Sequence, residues 1–263
     1  MPKLKELASW ILLSLGYSIN SKTKQELVRR IWGKPNSKTS LAKVRKALRH
    51  SKSQLGQDIL GLSIPGLDKP GYFVEFGAAD GIALSNTFVL EKEFGWNGIL
   101  CEPGTNWRKS LEANRDCIID TRCVYSVSGE SVSFSENYLG ELSSITKFAN
   151  PRKLGILKRT LASYQVETVS LKDLLDFHRA PKHIEFLSID TEGSEFEILN
   201  GFDFQSYTFG AICVEHNFGP TRELISSLLT KNGYVQIHSD LSEFDDWYVF
   251  DASSLSKQNS QIV

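Results

Sequence analysis

Nothing in the 263-residue sequence approaches the roughly 20 consecutive apolar residues that span a bilayer, which excludes a membrane-spanning helix. Cysteine is sparse, and Cys101, Cys117, Cys123 and Cys213 form no CxxC pair. A disulfide framework or zinc site is therefore disfavoured, and buried thiols in a reducing, cytoplasmic compartment are expected. No basic stretch interleaved with aromatics marks a nucleic-acid groove, so nucleic acid is an unlikely partner. The stretch LASWILLSL has basic residues before it, as a signal peptide would, but Glu6 is misplaced for one and no small-residue cleavage site follows.

What is present reads as an ordinary globular chain, 41% hydrophobic and 23% charged, long enough for one α/β domain and a small appendage. The net charge of −1 conceals an asymmetry. Residues 1–52 carry thirteen Lys/Arg against two acids, and the remainder carries seventeen against twenty-nine. Three segments follow: a basic helical arm at 1–52, a main domain at 53–251 and a loose tail at 252–263. Leu4 to Leu15 fall at helical spacing, stopped by Gly16. The arm is read as a helical packing element with a basic docking face. An anionic membrane surface, placing the protein peripherally there, or a phosphorylated glycan or lipid carrier are its candidate partners.

The main domain is organised around GYFVEFGAADG at 71–81. Tyr72-Phe73-Val74 reads as a buried strand, and a helical pattern runs from Leu84 to Phe94. Strand, glycine turn and helix open a doubly wound α/β sheet at its nucleotide-like site. Glu75 and Asp80 would repel a pyrophosphate, and the third glycine of a dinucleotide fingerprint is missing. S-adenosylmethionine (SAM), with its sulfonium and ammonium, suits this turn, whereas NAD does not. The next strand, NGILCE at 97–102, ends in Glu102, where a carboxylate grips ribose hydroxyls, before Pro103. A helix is expected over 106–115, capped by Thr105. Strand-like residues fill 117–128 and pair as a hairpin with SVSFS after Gly129. Asp120 or Ser126 approaches the adenine on this reading. Residues 136–165 read as a long irregular loop, either a lid or a disordered insertion.

Downstream, strand 166–170 and helix 171–177 precede a core strand, HIEFLSID at 183–190, ending in Asp190-Thr-Glu192-Gly193-Ser-Glu195. Helix capping accounts for Ser194 and Glu195 but leaves Asp190 and Glu192 unexplained. FGAICVE at 209–215 ends in Glu215-His216-Asn217, beside the Asp190 cluster in a doubly wound sheet. A helix at 221–231 and an antiparallel hairpin of 234–238 with 247–250 close the domain.

These residues resemble the FkbM-type SAM-dependent methyltransferases. The resemblance runs from Ser53-Gln54-x-Gly56-Gln57-Asp58 through Glu75-x-Gly77-Ala-x-Asp80-Gly81, Leu84-Ser85-Asn86-Thr87 and Glu102-Pro103 to Ile189-Asp190-x-Glu192-Gly193-x-Glu195. It implies a class I methyltransferase (Rossmann-like) fold and O-methylation of a sugar hydroxyl in a glycan, glycolipid or glycosylated natural product. It also implies a cofactor site of Glu75, Gly77, Asp80, Gly81, Asn86, Glu102, Pro103 and Asp190. Methyl transfer to a hydroxyl needs a base, and Asp190, Glu192, Glu215 and His216 are the dense set of candidates. His216 has the right intrinsic pKa, and Asp190 would need its own raised. In the alternative version Asp190, Glu215 and Asn217 hold Mg²⁺ on oxygen ligands. Two other classes stand against this reading: an NAD-dependent sugar-modifying enzyme, and a non-catalytic module docking on a membrane or glycan.

Overall fold

The computed structural model describes residues 21–33, 38–137, 143–148 and 160–253. The helix predicted over Leu4–Leu15 and the tail from residue 254 lie outside them. Two amphipathic helices, α1 (Ser21–Trp32) and α2 (Lys38–His50), come first, followed by α3 (Gln57–Ser63). Next come β1 (Tyr72–Phe76), α4 (Phe88–Phe94), β2 (Asn97–Cys101), α5 (Arg108–Asn114), β3 (Ile118–Asp120) and β4 (Cys123–Tyr125). Then follow β5 (Ser131–Asn137), β6 (Ser144–Ile145), β7 (Thr160–Ser170), α6 (Leu171–Phe177), β8 (His183–Ile189) and α7 (Glu195–Asn200). The chain closes with β9 (Thr208–Glu215), α8 (Arg222–Lys231), β10 (Tyr234–Ile237) and β11 (Asp245–Phe250). Among the described residues no helix is long and apolar enough to cross a membrane.

The main sheet has seven strands in the order β10-β11-β9-β8-β1-β2-β3. Strands β1, β2, β3, β8 and β9 run parallel, and β11 and β10 form the antiparallel edge. Parallel strands covered on both faces must be apolar on both, which is why YFVEF, HIEFLSI and TFGAICVE read as continuous runs. Helices α6, α7 and α8 bury one face through Leu174, Ile198 and Leu229. On the other face α1 to α5 pack through Leu27, Ala47, Ile59, Leu90 and Leu111. From β3 the chain returns to β8 on the far side of β1, which puts the switch point of the winding between β1 and β8. Ligands in open α/β sheets bind at the carboxyl ends of strands at that point.

The basic helices share the main core instead of standing apart from it. Leu27 and Ala47 have no exposed surface. Around them Arg30 meets Asp240 at 2.7 Å, and Lys46 and His50 meet Glu93 at 2.9 and 2.8 Å. Exposed pairs are worth about 0–1 kcal/mol each, whereas burying a leucine contributes about 1.5–3, so apolar burial holds the helices down.

Several local expectations change. Thr105 does not cap α5, which starts at Arg108 with Trp107 before it and no side-chain cap bond; the Thr105 hydroxyl donates to Glu136 instead. Residues 82–87 form turns, and the helix starts only at Phe88, because Glu75 holds the backbone of Asn86. The hairpin expected after Gly129 does not form: β4 pairs parallel with β7, and β5 pairs antiparallel with β7 and β6. A second sheet, β4-β7-β5-β6, results. Within the expected loop at 136–165, residues 160–165 extend β7 to eleven residues and 144–145 form β6, while 138–142 and 149–159 lie outside the described residues. Cross-strand hydrogen bonds, which local composition does not report, decide both points.

Candidate active site

The carboxyl ends of β1, β2 and β8 surround a cavity that is open to solvent, where ligands of open α/β sheets bind. Of the residues expected from the sequence, Glu75, Gly77, Asn86, Glu102, Pro103, Asp190 and Glu192 line it. Asp80, Gly81, Asp120, Ser126, Glu215 and His216 do not.

Gly77 makes the floor. Its φ is +77°, and a Cβ there would lie 2.0 Å from the Asp190 carbonyl oxygen, so only glycine lets the ends of β1 and β8 approach this closely. Glu75 is buried, and its carboxylate accepts from the Asn86 N–H at 2.6 Å, Ser85 Oγ at 3.0 Å and Thr87 Oγ1 at 2.5 Å. Burial raises its pKa, and the Arg115 guanidinium 3.8 Å away pulls it back. Glu75 therefore holds the 85–87 loop and does not stand free to meet a cation. Arg115, fully buried, donates to Glu91, Gly81 O, Ser85 Oγ and Thr87 Oγ1. Nothing in the local pattern singled it out, since an arginine ending a short helix ordinarily faces water.

Glu102 accepts from the Ala79 N–H at 2.9 Å and the Gly104 N–H at 2.7 Å, which ties the glycine turn to the loop after β2. Burial pushes its pKa up. A carboxylate has about four acceptor positions, so two remain for hydroxyls. Asn86 donates its Nδ2 to Ser188 Oγ at 2.9 Å, and its Oδ1 is buried with no hydrogen-bond partner among the described residues. The facing wall, from the second sheet, is apolar: Val124, Phe134 and Ile145. An orphan acceptor, a carboxylate with spare lone pairs and an apolar wall fit the ammonium, ribose and purine of SAM.

Asp190, Glu192 and Glu215 form a carboxylate cluster, with one oxygen from each within 4.8 Å of the others. Desolvation first, then the charges of Glu192, Asp245 and Glu195, push Asp190 well above the usual carboxylate range, against a hydrogen bond with Glu215 that lowers it. So many like charges at this separation cannot all ionise. Glu192 has a left-handed backbone, φ +58°, which turns it toward the cavity. Glu195 instead closes the turn, accepting from the N–H groups of Thr191 and Gly193 at 3.0 and 2.9 Å. Behind the cluster the Gln57 amide donates to Asp245 at 2.6 Å, giving the Ser53–Asp58 motif a supporting place outside the cavity.

Several expected residues are engaged elsewhere. Asp120 pairs with Arg122 at 2.6 Å and His178 at 2.8 Å, away from the cavity. Ser126 packs its backbone under Gly201. His216 is buried, its Nδ1 accepts from the Phe218 N–H at 2.9 Å, and its Nε2 points to Asp246 at 3.5 Å. That leaves no face of the imidazole for a substrate proton. The Asn217 backbone N–H donates to Phe244 O at 3.1 Å, and the carboxylate cluster itself includes Glu192. Asp80 caps the Ile82 and Ala83 N–H groups, and Gly81 packs on Arg115 and Leu111.

No curated protein matches the chain. Among solved structures it is similar to the methyltransferase FkbM from Methylobacillus flagellatus KT, at 11% identity and TM-score 0.40, covering 89% of this chain and 61% of that one. The chain thus spans less than two thirds of that protein. A SAM-dependent methyltransferase from Aquifex aeolicus matches at 8% identity and TM-score 0.35, over 78% of this chain and 96% of that one. Likenesses this low carry no weight beside the sequence. The model of the methyltransferase FkbM domain, however, matches residues 75–250, the greater part of the chain and every strand of the main sheet but the first residues of β1. The chain belongs to the FkbM methyltransferase family.

Proposed function

We propose that the protein is an O-methyltransferase acting on a sugar hydroxyl, in a glycan, glycolipid or glycosylated natural product, with Asp190 as the group that takes the acceptor proton. The observation that carries this reading is the carboxylate cluster at the cavity edge. A hydroxyl must shed its proton as the new bond forms, and a base works best when its pKa lies near the operating pH. Desolvation and the neighbouring acids raise Asp190 toward that range. SAM, when bound, supplies a methyl group on a cationic sulfonium that is already a good leaving group. Glu102 serves the ribose hydroxyls, Asn86 Oδ1 the ammonium, and the Gly77 floor keeps Asp190 against the end of β1. The sugar class rests on the family resemblance of the motifs.

A second reading has one observation in its favour: three oxygen ligands within 4.8 Å are close enough to share a divalent cation such as Mg²⁺. One assay separates the two. Asp190→Asn keeps size and removes charge, so SAM affinity is retained while turnover falls by about 10²–10⁴-fold. In wild type, chelation by EDTA leaves turnover intact if Asp190 is the base, and abolishes it, with recovery on added Mg²⁺, if the cluster holds a metal. With Asp190 as base the rate rises with pH as its proton is lost, above the usual carboxylate range. An Asp190→Asn enzyme with full turnover rejects both.

A further inference from the structure

Of the eight non-glycine residues with positive φ among the described residues, Ala79, Leu84, Glu192, Asn217 and Phe218 lie in the loops after β1, β8 and β9. Backbone strain of this kind gathers at functional sites. Asn217 and Phe218 are consecutive, at φ 45° and 55°. Asparagine tolerates that region, but a bulky phenylalanine there is an outlier. The strain sets the Phe218 ring in solvent, 72% exposed, against the usual tendency of phenylalanine to be buried.

The turn that carries the ring is rigidly made. The His216 and Asn217 N–H groups both donate to Phe244 O, at 2.9 and 3.1 Å, and the Gly219 N–H returns to His216 O. His216 accepts the Phe218 N–H through Nδ1, and the two rings meet edge to face with centroids 5.3 Å apart. This gives the buried histidine a use: it fixes the rotation of the exposed ring. The turn begins one residue after Glu215, a member of the carboxylate cluster. Three residues of chain separate the Cα atoms of Glu215 and Phe218 by at most about 11 Å, a span that a short oligosaccharide covers.

We infer that Phe218 is the platform on which a sugar ring of the acceptor stacks, so that a hydroxyl of that sugar or its neighbour reaches the carboxylates. A pyranose has a face of C–H groups, slightly positive, that complements the negative face of an aromatic ring. An exposed ring held proud of the surface by His216 suits that contact. The inference rests on the sugar-hydroxyl reading above.

The test is saturation-transfer NMR on the full chain saturated with S-adenosylhomocysteine, titrated with methyl α-glucoside, mannoside, galactoside and rhamnoside. Wild type binds at least one of them. Phe218→Ala weakens that binding by about tenfold or more, as loss of an aromatic anchor does, while Phe218→Trp restores it and S-adenosylhomocysteine affinity is the same in all three. The site is exposed, so neither variant threatens folding. If Phe218→Ala binds the pyranoside as wild type does, the platform is refuted and the sugar reading stands. If wild type holds S-adenosylhomocysteine but none of the four sugars, the sugar reading fails and takes the platform with it.

Discussion

Replacing Arg115 by alanine tests how the cofactor loop is held. The side chain has no exposed surface and lies 2.6 Å from Glu91 Oε2 and 3.8 Å from Glu75 Oε2. Three further donations, to Gly81 O, Ser85 Oγ and Thr87 Oγ1, run from 2.9 to 3.2 Å. Its guanidinium also lies over the Phe73 and Phe88 rings, at 5.5 and 5.9 Å. Alanine would leave Glu75 buried without its cation and Glu91 with only Lys92, 3.4 Å away, a change that costs about 3–5 kcal/mol. Against a total stability of about 5–15 kcal/mol this is a large share. At about 2–4 °C per kcal/mol for a domain of this size, the melting temperature should fall by roughly 6–20 °C. Arg115→Lys keeps the charge but not the fork, so it should fall in between, at about 1 kcal/mol for each hydrogen bond lost. SAM affinity should weaken in both, because Glu75 then holds the 85–87 loop less firmly. Thermal melts followed by circular dichroism, with calorimetric titration of SAM, measure the two effects. An Arg115→Ala protein melting within about 2 °C of wild type would refute the account of Arg115 as the anchor of that loop.

Asp245, raised to about 6 chiefly by burial, links stability to pH. A raised carboxyl stabilises the fold below its unfolded pKa, near 4, and that contribution is lost as pH rises through about 6. Two units are worth on the order of 3 kcal/mol, so Asp245→Asn, which keeps an acceptor for Gln57, should gain melting temperature over wild type progressively from about pH 4 to pH 7. A pH-independent difference between the two melting curves would contradict this. Glu102→Ala should weaken SAM by about 10–100-fold, the worth of one or two hydrogen bonds to a charged acceptor, with the methyl-accepting chemistry itself unaffected; calorimetry showing wild-type affinity would remove Glu102 from the site.

The apolar β-rich runs at 72–76, 183–189 and 208–215, the glycine turn and the acids that close each strand were all legible in the sequence, because periodicity, turn chemistry and residue type are local properties. So was the winding of the main sheet, since strand–turn–helix repeats admit few topologies. What tertiary structure alone decided is which acid does what. Glu75, Glu192 and Glu195 look equivalent along the chain, yet Glu75 and Glu195 are consumed by backbone and hydroxyl donors while Glu192 joins Asp190 at the cavity edge. His216 was the obvious base by residue type, but the left-handed turn at Asn217 and Phe218 takes its Nδ1 and Asp246 faces its Nε2. Arg115 acquired its role only when α5 was laid against the glycine turn, and the second sheet only when β7 paired with both β4 and β5. In each case the deciding partner is distant in sequence, and hydrogen bonds and burial between distant segments leave no periodic trace in either one.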